Sequence, residues 1–302
     1  MFIVEEMFQK LSSTLSLQDG RYQLKLGRDL PLSGPDMLVC FKAIPTRNFF
    51  EDKQVLTVLL VCDELEKFWG KLQLFDHVIV TASAELYELC ESRHNSVTFI
   101  TEFETDESLG FGVRNLKENP IRERFGIAWH GGHYSYPALV KIRSALEKFG
   151  RLVGKSLTLN IVSGSGQFKV FHWGELKVNH YPWSESNMQI VAATSRLGVI
   201  PARPSIRTSF LKPSSRVRKL YSLGVPTIGD ANVPEVKRFL GTINGPIART
   251  PQDWLNQLNR LWFHEDLTRL TVDGLELIRD KHSADRCVGQ WIAFIKGAFD
   301  EV

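Results

Sequence analysis

The four cysteines of this sequence, Cys40, Cys62, Cys90 and Cys287, form no C-x-x-C pair and no other metal-type spacing. Cys40 and Cys62 lie in apolar runs, where cysteine behaves as a small hydrophobe, so all four read as reduced and structural. No D-x-D cluster occurs that could hold a metal-bound diphosphate, and the expectation is chemistry without a metal ion or other cofactor. Long apolar runs are missing too: the longest, Val55 to Cys62, cannot span a bilayer. Glu5 and Glu6 interrupt the N-terminus before any apolar core of signal type. The expected location is cytoplasmic, with peripheral contact at a membrane left open. A net charge of only +3 argues against general nucleic-acid binding. What remains, 302 residues at 43% hydrophobic and 24% charged, is ordinary globular composition with room for two cores.

Short apolar runs recur along the first 120 residues: Tyr22–Leu26, Met37–Phe41, Val55–Cys62, Val78–Thr81 and Val97–Ile100, after a helical pattern over residues 2–16. The central runs are apolar on both faces, as parallel strands between helix layers are. Lys42, Asp63-Glu64, Ser83 and Glu102 follow these runs, where an open parallel sheet faces its ligand crevice. Asp63 is the candidate general base among them. Residues 103–121, with glycines and no clear period, read as a linker.

Beyond residue 121 the strand, turn and helix units repeat. Phe125–Trp129 breaks at His130-Gly131-Gly132 before a helical pattern over Pro137–Phe149. Two glycines there would let a backbone approach a phosphate, although glycine pairs also serve plain turns. Leu157–Val162 and Phe168–His172 read as further strands, Ser186–Ala193 as a helix, and Leu197–Ile200 as a strand. Such units build a doubly wound α/β sheet. His130 and His133 are candidates for a proton carrier or phosphate ligand, or simply hydrogen-bonded residues of the turn. Trp173, Trp183, Trp254, Trp262 and Trp291 read as packing residues.

The densest charge is cationic. Arg203, Arg207, Lys212, Arg216, Arg218 and Lys219 fall within seventeen residues that contain no acid. Pro213-Ser214-Ser215 reads as a helix start, where unpaired amides and the positive end of the helix dipole attract phosphate. Arg216 is placed to neutralise the same anion and is expected to be partly exposed there. Arg203 and Arg207 belong to the same cationic composition and would matter less if they sit in a solvated loop. Gly224 ends the helix, and Val225–Ile228 is the next strand.

In order, FGIAWHGG (residues 125–132), Trp183-Ser184 before a helix, Ile200-Pro201, KPSSRVRKLYSLGVPT (212–227) and Val233-Pro234-Glu235 resemble the donor-binding domain of GT-B glycosyltransferases of the group 1 kind. The segment 277–299 is similar to the closing helices of that fold. The resemblance implies two Rossmann-like doubly wound domains facing one cleft: an acceptor-side domain over 1–121, shortened, a donor domain over 122–285, and a last helix, 286–302, crossing back to the first. It implies a nucleotide-sugar donor, and a glycan, lipid-linked or other acceptor. Gly131, Gly132, Ser214, Ser215, Arg216 and Lys219 would hold the diphosphate, with Asp63, Arg216 and Lys219 as the catalytic set. Lys177 and Val178 would meet the nucleobase in a turn. The chain departs from the family's E-x7-E pattern, since Leu211 and Lys219 stand where the glutamates would be. A nucleotide-sugar epimerase of related fold, or a degenerate binding protein, are the alternatives.

Overall fold

The structure is a computed structural model, which describes residue 11 and residues 37–41, 55–62, 69–154, 156–203, 210–263 and 266–300. The expected strand Tyr22–Leu26, the helical pattern over 2–16 apart from Leu11, and Lys42, Asp63, Glu64 and Arg207 lie outside the described residues. The chain divides into two compact units, residues 1–103 with 281–302, and residues 104–280.

The first unit holds a four-stranded parallel sheet in sequential order: β1 (Met37–Phe41), β2 (Leu56–Val61), β3 (His77–Val80) and β4 (Val97–Phe99). Burial of both faces of β2 and β3 explains why their sequences are continuously apolar. Ser83 caps the following helix, α1 (Ala84–Glu91), by accepting from the Leu86 amide at 3.2 Å. The helix Ala284–Asp300 packs on this unit, burying Val288, Trp291 and Ile295 with Val58, Leu60 and Ile79. Gln290 Oε1 accepts from the Thr101 amide and hydroxyl at 3.0 and 2.8 Å and so pins that helix.

The second unit is built on a seven-stranded sheet ordered β11-β10-β9-β5-β6-β8-β7. Its strands are β5 (Gly126–His130), β6 (Thr158–Val162), β7 (Lys169–Trp173), β8 (Leu176–Tyr181), β9 (Ser195–Ile200), β10 (Thr227–Asp230) and β11 (Ile247–Ala248). All pair in parallel except β7 with β8. Strand order reverses direction between β5 and β9, since the chain moves outward through β6 and β8 and then returns to β9, β10 and β11. Ligands of open α/β sheets bind at such a switch, outside the carboxyl ends of the strands.

The expected linker over 103–121 is instead a helix, α2 (Asp106–Glu118), belonging to the second unit. Thr105 caps it, its hydroxyl accepting from the Ser108 amide at 3.1 Å. The glycine that looked like a breaker is a packing residue: a Cβ on Gly112 would lie 2.2 Å from the Ser222 carbonyl oxygen. The helical pattern over Pro137–Phe149 divides at Ile142 into α3 (Tyr136–Lys141) and α4 (Arg143–Val153). Leu176–Tyr181, unread as a strand from sequence, is β8, joined to β7 by a tight turn with Gly174 at φ +56°.

The later helices are α5 (Glu185–Thr194), α6 (Ser215–Ser222), α7 (Pro234–Thr242), α8 (Pro251–Phe263) and α9 (Leu267–Lys281). Gly224, at φ +77°, ends the turn after α6, as its place after the apolar helix face implies.

Candidate functional site at the carboxyl edge

The two motifs singled out from sequence meet at the switch point. Helix α6 begins beside the end of β5, and a reciprocal clasp joins them. Arg216 donates from Nε and Nη2 to the His130 carbonyl at 3.0 and 2.5 Å, and His130 Nε2 donates to the Arg216 carbonyl at 2.9 Å. A carbonyl only accepts, so the imidazole proton sits on Nε2 and Nδ1 keeps its lone pair. The guanidinium also lies over the Trp129 ring, 5.3 Å from its centroid. Gly131 leaves it room, because a Cβ there would meet Arg216 Nη2 at 2.9 Å. Gly132 faces open space.

Arg216 is therefore anchored and half-buried, partly exposed as expected. Its Nη1 has no hydrogen-bond partner among the described residues. Burial, with Arg203 nearby adding its positive charge, lowers the Arg216 pKa to about 10. The same physics lowers His130 to about 3: burial first, then the charge of Arg216. His130 is neutral at physiological pH and too weak a base to carry protons there. His133 stacks on Tyr134 at the surface, ring centroids 3.7 Å apart.

The serines divide. Ser214 is buried, and its hydroxyl accepts from Arg218 Nη1 at 2.8 Å without capping α6. Arg218 is itself buried, with Nε 3.9 Å from Glu104 Oε1, so it belongs to the interior. Val217 and Arg218 amides return to the Ser214 carbonyl at 2.9 Å each, which leaves the Ser215 and Arg216 amides as the open donors of the first turn. Lys219, one turn further, pairs with Glu185 Oε2 at 2.9 Å and donates to the Ser108 hydroxyl at 2.7 Å. Its charge still reaches His130 but is balanced locally.

Lys177 and Val178 require a correction. They lie in β8, not in a turn, and pair with Thr158 and Leu159 at the start of β6, the amino edge of the sheet. Val178 is fully buried. The hairpin after β7 reverses the chain at that edge, so the residues following it begin a strand on the wrong side for a ligand. Of the tryptophans expected to pack, Trp183 is exposed and the other four are buried. Trp183 sits at the carboxyl edge, its amide donating to Gly164 O at 2.8 Å, near the paired rings of Phe168 and Tyr181.

At this edge Asp230 escaped the sequence reading, and Arg203, read only as one of the cationic run, has fixed partners. Arg203, just past β9, is partly buried, and its Nε donates to the Tyr134 carbonyl at 2.6 Å. Asp230, the last residue of β10, is 1% exposed. Its Oδ2 accepts from the Ala202 amide at 2.8 Å, and its Oδ1 from the Asn232 amide and side chain at 2.9 and 2.8 Å. An acid directly after an apolar strand run was the available signal for it. Elsewhere, a cavity of about 370 Å³ lined by Asn244, Asp273, Glu276 and Asp280 is acidic and suits no anion. Among the described residues no three His, Cys, Asp or Glu side chains gather to hold a metal ion, and no helix is long and apolar enough to cross a membrane.

No protein-family model matches the chain, and no curated protein matches it in sequence. Solved structures do match in fold. Anabaena HepE in complex with UDP and glucose shares 11% identity over 80% of this chain and 72% of its own, with a TM-score of 0.59. Sucrose-phosphate synthase from Thermosynechococcus elongatus shares 13% over 84% and 71%, at 0.60. α,α-Trehalose 6-phosphate synthase from Burkholderia multivorans shares 9% over 81% and 66%, at 0.56. These neighbours have the two-domain GT-B fold, and at such identities the likeness is one of fold.

Proposed function

We propose that the protein is a glycosyltransferase that binds the diphosphate of a nucleotide sugar at the carboxyl edge of the seven-stranded sheet and passes the sugar to a glycan or other hydroxyl acceptor. The observation that carries this reading is the clasp: a guanidinium fixed at a helix start, beside a glycine turn, at the switch point of a doubly wound sheet. The fold neighbours that hold UDP or UDP-glucose support the same donor class. In this reading the amides of Ser215 and Arg216 and the open side of the Arg216 guanidinium receive the diphosphate. Gly131 and Gly132 let the β5 backbone come close to it.

The chemistry asked of these groups is electrostatic. As the bond from the sugar to the diphosphate breaks, negative charge grows on the leaving oxygens, and donors already fixed toward them stabilise that charge without reorganising. Among the described residues no carboxylate counters Arg216, and in this reading an incoming anion supplies the charge. Lys219 contributes its field from one turn away. No proton transfer falls to His130, which stays neutral.

A non-catalytic nucleotide binder is the second reading, favoured by Lys219: it stands where a glutamate of the family pattern would be and is tied to Glu185. Thermal shift with UDP, GDP, CDP, dTDP, ADP and pyrophosphate tests the binding, since a ligand at 100 times its dissociation constant adds about 2.7 kcal/mol. One nucleotide is expected to stand out, with UDP the first probe. Equal, salt-sensitive shifts matched by pyrophosphate would reduce the site to an anion patch. Release of UDP from a UDP-sugar, absent with binding intact, would select the second reading.

A further inference from the structure

We propose that Arg203 is the second cation of the diphosphate site, and that Asp230 is the positioning residue that sets it there through the backbone of Ala202. The inference rests on the anion site proposed above and names a residue pair that the sequence reading left as loop and strand end.

Arg203 is not a solvated loop cation. Its Nε is held on the Tyr134 carbonyl at 2.6 Å, and its guanidinium carbon lies 5.7 Å from the Tyr134 ring centroid. Tyr134 follows the Gly131-Gly132 turn, so Arg203 is anchored to the same loop whose first carbonyl, that of His130, anchors Arg216. Two guanidinium groups, one at β9's exit and one at the start of α6, are thus hung from one loop. Their planar forks suit an anion with several oxygens lying between them better than the ammonium of Lys219 does.

What holds the exit of β9 in place is Asp230. Ala202 immediately precedes Arg203, and its amide donates to Asp230 Oδ2. The other carboxylate oxygen is occupied by two N–H groups of Asn232. The carboxylate therefore bridges the chain leaving β9 to the chain leaving β10. It has three neutral donors and is nearly inaccessible, so it is not itself a ligand group; it acts by fixing the backbone from which Arg203 projects.

The test measures dissociation constants for pyrophosphate and for UDP with the full-length wild type, Arg203→Ala, Asp230→Asn and the double variant. Arg203→Ala is expected to weaken pyrophosphate about tenfold to a hundredfold, the size of a lost charged hydrogen bond. Asp230→Asn is expected to weaken it about tenfold in the wild type and by less than about twofold in the Arg203→Ala background, because its effect passes through Arg203. A purely structural role for Asp230 would weaken both backgrounds alike, and that result overturns the positioning claim. An Arg203→Ala protein that binds as the wild type does overturns the cation claim. Wild type that binds neither probe overturns the anion site, and this inference with it. Should Asp230→Asn fail to fold, Ala202→Pro, which removes the amide donor to Oδ2 while also fixing φ at that position, carries the same expectations.

Discussion

Two buried or partly buried arginines sit at opposite edges of one sheet, and the difference between them separates a saturated cation from one with donors to spare. At the amino edge, Arg124 is 3% exposed and spends every donor on the backbone. Its Nε and Nη2 reach Asn119 O at 2.8 and 2.5 Å, Nη2 also reaches Asn115 O at 2.9 Å, and Nη1 reaches Gly224 O at 2.9 Å with Ala192 O and Ser195 O at 3.3 and 3.4 Å. Those carbonyls lie at or just past the carboxyl ends of α2, α5 and α6, so one guanidinium meets the negative ends of three helix dipoles. Burial lowers its pKa to about 10. At the carboxyl edge, Arg216 has the same shift from the same cause but commits its hydrogen bonds to a single carbonyl. The saturated arginine can only hold the unit together; the unsaturated one can take a ligand.

The contrast breaks most visibly at Arg124. Arg124→Ala is expected to cost on the order of 3–5 kcal/mol, since it strands buried carbonyls of three helix ends. Urea denaturation measures it, and a loss below about 1 kcal/mol would mean that water replaces the guanidinium. Arg216→Ala is expected to cost less in stability, about 1–2 kcal/mol for the lost tie between β5 and α6, but to lower kcat/KM by about 10²–10³-fold with a nucleotide-sugar donor. Arg216→Lys should recover part of the rate, as an ammonium cannot serve carbonyl and phosphate as a planar fork does. If both arginine variants shifted stability and turnover together, the distinction between the two edges would fail.

An effect absent at neutral pH, and growing only as the pH falls, concerns His130. Its folded pKa of about 3 lies below the unfolded value near 6.5, so between those values the unfolded chain binds a proton that the folded imidazole does not. Stability should then fall as pH drops below about 6.5, by at most about 1.4 kcal/mol per unit from this group. Denaturation midpoints of wild type and His130→Asn between pH 7 and 4 check the sign: the wild-type curve should fall more steeply.

Much of the fold was legible in the sequence. In the first unit, strands such as Met37–Phe41 and Val55–Cys62 show in local pattern because their burial follows the period of the element, and in the second the start of α6 shows at Pro213-Ser214-Ser215. Gly112 was misleading for the opposite reason: a glycine that admits a neighbouring backbone looks, locally, like one that frees a turn. Lys177 and Val178 were misplaced because which edge of the sheet a residue occupies depends on strand direction, and that of β8 is set by its parallel pairing with β6, an element further back along the chain. Asp63, the proposed base, lies outside the described residues, and no role follows for it here.

By itself the sequence determined the elements of this protein, its two-part organisation in outline, and the chemistry available: a cationic helix start and a glycine turn, with no D-x-D cluster. Only the tertiary structure decided which cations are anchored to one loop. Arg203 and Lys219 are alike in sequence as members of one basic run, yet one is hung beside Arg216 from the loop after β5 and the other is balanced by Glu185. Periodicity reports the solvent on either side of a residue's own element, whereas the partner that satisfies or leaves open a charge comes from another element, placed by strand order and packing.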